Sequence, residues 1–133
     1  MPRNVDLMGL GLPGPTSNQL GITPISVTGV GATQGAATTF YGGSHLALFT
    51  AATTTACGMV FATNSAVGTP NYIVMLSTTS VTGTVYCPAS GTMNGTTNGS
   101  VVLTTGKTCV IIQTSATSAG GNGGTWVSFP LTP

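Results

Sequence analysis

Across 133 residues the chain carries two basic side chains (Arg3, Lys107), one acidic side chain (Asp6) and one histidine (His45), for a net charge of +1. An ordinary globular domain is roughly 25% charged, so the side chains for two-carboxylate hydrolysis, calcium chelation and phosphate-backbone binding are missing here. What remains is backbone, hydroxyls and a 41% hydrophobic fraction, enough at this length for one domain with a real core and too apolar for a disordered chain.

Residues 1–24 read as an extended N-terminal arm. Gly and Pro interrupt any regular element there, yet Val5, Leu7, Met8, Leu10, Leu12 and Leu20 are apolar. So many large apolar side chains on an irregular segment mark it as one that docks on something. Residues 25–133 read as a single β-domain, because Thr, Val and Ile favour pleated strands and Gly, Pro or Thr clusters break every window long enough for a helix.

Taken in order, residues 25–30 alternate apolar and polar, 38–41 form a short run closed by Gly42-Gly43, and 44–51 alternate loosely. Residues 57–63 are a compact apolar strand. Residues 72–76 are an unbroken apolar run, which predicts a central strand covered on both faces. In 81–87, Val81, Gly83, Val85 and Cys87 share one face, and Thr82, Thr84 and Tyr86 the other. A turn-rich loop over 88–99 contains Asn94-Gly95 and Asn98-Gly99, pairs suited to the positive φ of tight turns. Residues 100–104 and 108–114 flank Thr105-Gly106-Lys107 and read as a hairpin. After a glycine-rich loop at 119–124, residues 125–129 form a last strand with the single Trp126. No repeat of fixed period is visible. The expected architecture is all-β: an antiparallel, jelly-roll-like β-sandwich or barrel with an extended arm.

Few residues offer chemistry. With no Glu, and Asp6 in the arm, a Ser-His-Asp triad would need the arm to reach His45. Nothing in the sequence brings His45 to Cys57, Cys87 or Cys109 for thiol catalysis. His45 therefore reads as an ordinary surface or interface histidine. A Cys₃His zinc site would normally show a short Cys-x₂₋₄-Cys knuckle, and none is present. The odd cysteine count favours free, buried thiols over a disulfide framework. Gly29-Val30-Gly31 and Gly42-Gly43 lack the lysine of a phosphate loop. Asn94-Gly95-Thr96 and Asn98-Gly99-Ser100 match glycosylation acceptors but read as turns, with no secretory leader ahead of them. The Thr runs are contiguous and point to opposite faces, unlike the flat ranks of an ice-binding surface. Residues 46–63 are uncharged, but Thr53-Thr54-Thr55 and Gly58 argue against a membrane span. The expectation is a protein without enzymatic activity, cofactor or metal, and without nucleic-acid or membrane partners.

The second half carries a more specific order of turns and strand ends. Val85-Tyr86-Cys87-Pro88 leads to Gly91-Thr92-Met93-Asn94-Gly95, then Asn98 and Ser100-Val101-Val102-Leu103. Gly106-Lys107 and Val110-Ile111-Ile112-Gln113-Thr114-Ser115 follow, and Thr125-Trp126 closes the series. This resembles the small head-decoration, or cement, proteins of tailed bacteriophages. Their strand ending in Tyr-x-Pro leads to a Gly-x-x-Asn-Gly turn, a strand, a Gly-Lys hairpin and a strand near Trp. The resemblance spans about 57–129 and is most specific over 85–126. It implies a virion structural protein on the outer capsid surface, made in the host cytoplasm. Such a protein clamps adjacent subunits of the major capsid protein and commonly self-associates as a homotrimer. On that reading Val5, Leu7, Met8, Leu10, Leu12 and Leu20 are the first candidates for capsid contact. Met93, Asn94, Asn98 and Asn122 are candidates for a subunit interface or an exposed tip. The competing reading is a phage head-fibre or tail-associated host- or glycan-binding module, which would need exposed aromatics among Phe40, Tyr41, Tyr72 and Trp126. A pilus or surface-layer subunit is the third.

Overall fold

The computed structural model describes residues 23–40, 45–51, 57–62, 67–76, 82–116 and 123–131. The arm residues Val5 to Leu20, together with Tyr41 and Asn122, lie outside them. Among the described residues eleven strands are formed: β1 (Thr23–Gly29), β2 (Thr38–Phe40), β3 (His45–Ala51), β4 (Cys57–Phe61), β5 (Pro70–Met75), β6 (Gly83–Tyr86), β7 (Thr92–Met93), β8 (Thr96–Thr97), β9 (Ser100–Leu103), β10 (Thr108–Ser115) and β11 (Thr125–Pro130). The only helical element among the described residues is a 3₁₀ turn at Gln34–Ala36. The all-β expectation holds, and nine of these strands overlap segments that read as strands from the sequence, whereas β7 and β8 lie within 88–99, which reads as a loop.

The strands form two sheets, seven-stranded in the order β1-β3-β5-β10-β11-β7-β8 and four-stranded in the order β2-β4-β6-β9. The expected antiparallel pairing is not what forms in the first half. There β1 pairs β3, and β3 pairs β5, in parallel. Across the core β2 pairs β4, and β4 pairs β6, also in parallel. From β1 to β6 the chain thus passes alternately from one sheet to the other as a flattened coil. Parallel neighbours need a crossover, and here a strand of the opposite sheet supplies it. The second half is antiparallel at β5-β10, β10-β11, β6-β9 and β7-β8. A second correction concerns 100–114. Instead of a hairpin, β9 and β10 belong to different sheets, and the turn at Gly106 (φ 78) carries the chain between them. That turn is tied to β5 by Gly106 N–H donating to the Met75 carbonyl at 2.8 Å and Met75 N–H donating to Lys107 at 2.9 Å.

Both inner faces meet in one core. The larger sheet contributes Val27, Ala47, Phe49, Ile73, Met75, Cys109, Ile111 and Trp126, and the smaller one Phe40, Cys57, Met59, Phe61, Val85 and Leu103. Phe61 is the hinge of its aromatic part, edge-on to Phe40 at 5.2 Å and tilted against Trp126 at 4.8 Å. Two polar side chains are buried with these: Asn71 and Gln113, each 1% exposed. Asn71 donates to the carbonyls of Thr69 and Ile111, but its Oδ1 and both polar atoms of Gln113 have no partner among the described residues. A buried unsatisfied amide costs about 1–3 kcal/mol. Replacing Gln113 by Met, of similar length and shape, is therefore expected to raise the urea midpoint, equivalent to about 1–2 kcal/mol. A lowered midpoint would show that the amide is satisfied in solution.

Candidate interaction surface

The two outer faces differ, and the difference follows from the strand sequences. On the four-stranded sheet the outward residues are mixed: Thr39, Thr84, Tyr86 and Ser100 stand beside Val60 and Val102, the last 59% exposed. The segment after β1 folds back over part of this face. Tyr86 Oη–H donates to the Ala32 carbonyl at 3.0 Å, and Gln34 Nε2–H donates to the Cys87 carbonyl at 2.7 Å.

On the seven-stranded sheet the outward residues are largely apolar in the middle of the sheet, with hydroxyl side chains at Ser26, Thr28, Thr50 and Thr108. Strand register aligns Pro24, Leu46, Tyr72, Val110 and Phe129 in one row across five strands. A second row runs Ser26, Leu48, Val74 and Thr108. Tyr72 is 36% exposed, Phe129 51%, and Leu131, which follows β11, 53%. Between Leu46, Tyr72, Val74 and Thr108 lies a shallow depression of about 320 Å³. β5 is central, as its unbroken apolar run predicts, but it is covered on one face only among the described residues. Asn71, Ile73 and Met75 are buried while Tyr72 and Val74 face out. β10, with Val110-Ile111-Ile112, has the same character. Continuous apolar strands are the mark of a sheet buried on both sides, so this face has the composition of an interface.

The loop candidates prove to be mainly structural. Met93 is not a tip residue. It is 2% exposed, because parallel pairing of β7 with β11 turns it into the core. Asn94 and Gly95 form the two-residue turn joining β7 to β8, with φ of 51° and 82°. The Asn94 side chain then clamps β11. Its Nδ2 donates to Ser128 Oγ at 2.8 Å, and its Oδ1 accepts from Ser128 N–H at 2.9 Å. Asn98 Oδ1 accepts from Ser90 N–H at 2.8 Å. Both asparagines are exposed at the rim, but their hydrogen-bonding groups are used in holding the tip's shape. Of the aromatics considered for glycan stacking, Phe40 and Trp126 are in the core at 2% and 0% exposure. Among the described residues of that set Tyr72 is the one at the surface, with no polar side chain beyond Thr108 lining its depression, and Tyr41 lies outside the described residues.

Cys57, Cys87 and Cys109 are free and buried. Their positions in β4, after β6 and in β10 separate them along the core. Burial raises all three thiol pKa values, and pushes Cys109 from 9.0 to about 12. Between those values the unfolded chain sheds the thiol proton and the folded chain keeps it, so stability falls as pH rises through that window. The urea midpoint is expected to decline from about pH 9 upward, and Cys109→Val should show a shallower decline than the parent. Equal slopes in the two proteins would refute the assignment. His45 pairs through its backbone with Thr23; its side chain lies outside the described set. Among the described residues no three His, Cys, Asp or Glu side chains gather into a possible metal site.

Compared with models of protein families, with curated proteins and with solved structures, the chain matches none.

Proposed function

We propose that this chain is a non-enzymatic virion structural protein, a decoration or cement protein of a tailed bacteriophage. It binds the outer capsid shell and braces adjacent subunits of the major capsid protein, self-associating as a homotrimer. The observation that carries this reading is the uncharged apolar face of the seven-stranded sheet, backed by the order of turns and strand ends over 85–126. Lys107 is the one charged side chain among the described residues, so specificity has to come from shape and apolar burial rather than ion pairing. A decoration protein repeats one modest contact over a whole shell, and a standard-sized interface buries roughly 1,600 Å² in total. Weak self-repulsion at near-zero charge suits close packing of copies. The arm, through Val5, Leu7, Met8, Leu10, Leu12 and Leu20, makes the shell contact. A glycan-binding module draws less support, because sugars need convergent polar groups beside an aromatic platform. Phe40 and Trp126 are in the core, and the face around Tyr72 is apolar.

The test is coating of emptied heads. The full chain is expected to bind at a copy number comparable to that of the shell protein, and deletion of residues 2–20 to cut occupancy at least tenfold. Normal coating by the truncated chain would remove the arm from the contact. A handful of copies confined to one vertex would favour a fibre or tail module.

A further inference from the structure

A strand at the edge of a sheet presents a row of backbone N–H and C=O groups to whatever comes next. Folded proteins blunt such edges with Pro, Lys, a bulge or a very short strand. Most edges here are blunted. β2 and β8 run for only three and two residues. On β1, Pro24 has no N–H to offer, and the Thr28 carbonyl accepts from Thr38 Oγ1–H at 2.7 Å. Beyond its short pairing with β7, β11 is closed by the Asn94 side chain at Ser128 N–H and ends on Pro130. β9 is the exception. It pairs with β6 on one side only, in unbroken register, and contains neither Pro nor Lys. The ladder fixes which of its groups face outward. Cys87 N–H donates to the Gly99 carbonyl at 3.1 Å, and hydrogen-bonded pairs recur at every second residue. Gly99, Val101 and Leu103 therefore turn their backbone groups to β6, and Ser100 and Val102 turn theirs away. Among the described residues these outward groups have no partner. Ser100 is exposed and Val102 is 59% exposed, so the edge is open to an incoming strand.

We propose that β9 pairs antiparallel with β9 of a second copy of this chain, joining the two four-stranded sheets into one across a twofold axis at Val101. The outward groups are symmetric about Val101, so the same strand reversed satisfies all of them. Ser100 lies opposite the partner's Val102, and Val102 opposite the partner's Ser100. Identical strands that carry charge oppose like to like when they pair this way; β9 carries none. The contact is short and gains little apolar area, so it is weak, and it forms at high concentration or where many copies are held side by side. A contact of this symmetry closes at two copies. It is therefore separate from a trimer contact, and it does not depend on the decoration reading.

Variants of the full-length chain test it. The Val102 N–H is unused within the subunit, so Val102→Pro is expected to stay close to the parent's urea midpoint while removing a donor from the pair. Val102→Lys sets two like charges diagonally across the axis. In sedimentation equilibrium the parent's average mass is expected to rise with concentration, and the dissociation constant of that step to increase at least tenfold in either variant. Val101→Cys reports position. Directly opposed residues without hydrogen bonds between them have Cα atoms about 4.5 Å apart, within reach of a disulfide. Under mild oxidation it is expected to crosslink two chains at least tenfold faster than Thr39→Cys, on the opposite edge of the same sheet, although Thr39 is the more exposed. The native thiols are buried, with raised pKa values, and do not compete. A parent whose mass does not rise with concentration, association unchanged in both Val102 variants, equal crosslinking rates, or a Val102→Pro chain that fails to fold would each overturn the proposal. So would a monomeric parent whose coating of heads is lost in Val102→Pro, which would assign the edge to a strand of the shell. The functional reading is tested by coating and not by association in solution, so the two can fail separately.

Discussion

Replacing Gly83 by Ala is expected to lower stability by at least about 2–3 kcal/mol, and Gly83→Val to prevent folding. Gly83 is buried in β6, facing Phe49 of β3 across the core. A Cβ there would collide with the Phe49 ring at Cε1 and sit 2.8 Å from Met75 Sδ. The ring cannot step aside, because Gly29 flanks its other edge, where an added Cβ would collide with Cε2. Phe49 is thus clasped between two glycines on facing sheets, and the missing side chains set the spacing of the layers. Overpacking of this kind usually costs about 1–3 kcal/mol where neighbours can shift, and here the main neighbour is fixed from both sides. Gly35 is the control, since its Cβ would meet nothing within 4 Å. Urea unfolding of the Ala variants at 83 and 35 checks the contrast. Adding Phe49→Leu to Gly83→Ala should recover part of the loss, a coupling that a double-mutant cycle would read. A Gly83→Ala protein as stable as its parent would mean that the sheets are not spaced by this ring.

Trp126→Ala is the second large effect, expected at about 3–5 kcal/mol. Trp126 is fully buried on β11, tilts against Phe61 at 4.8 Å, and its indole Nε1–H donates to the Gly123 carbonyl at 2.7 Å. The side chain therefore fills the core and also ties down the glycine-rich turn before its own strand. There Gly123 and Gly91 pack backbone to backbone, and a Cβ on either would lie within 2.9 Å of a carbonyl oxygen. Against total stabilities of about 5–15 kcal/mol, the Ala variant should be largely unfolded or melt far below its parent by circular dichroism. Trp126→Phe keeps most of the packing but loses the hydrogen bond, and should cost about 1–2 kcal/mol. A mild effect of Trp126→Ala would return this residue to the candidates for surface recognition.

Most strand positions are legible because a strand writes its own alternation or apolar run, as in Gly83, Val85 and Cys87 against Thr84 and Tyr86, whereas the two-residue strands β7 and β8 are too short to show either. Strand partners were not, because pairing depends on chain that lies elsewhere. The coil of β1 to β6 hides its repetition in unequal turns. Thr23 pairs with His45, 22 residues on, whereas Leu46 pairs with Tyr72, 26 residues on, so no fixed period shows. The misread turn at Thr105-Gly106-Lys107 has the same origin: its glycine has the positive φ of a hairpin turn, but the strands it joins choose different sheets. Met93 was misplaced because its place beside Asn94-Gly95 suggests a loop, while pairing with β11 buries it. For the interaction surface, the signal was present in the unbroken run Tyr72-Ile73-Val74-Met75. It calls for cover on both faces, and among the described residues the outward face of the seven-stranded sheet is the one without it.

The central claim is that this protein acts by fitting uncharged, apolar surface against its neighbours. The most direct measurement is occupancy on emptied heads as salt is raised. Contacts without ion pairs should hold or strengthen as salt increases. Occupancy that falls steeply with rising salt, as for a charge-driven complex, would contradict the account, and so would a failure to coat heads at any salt concentration.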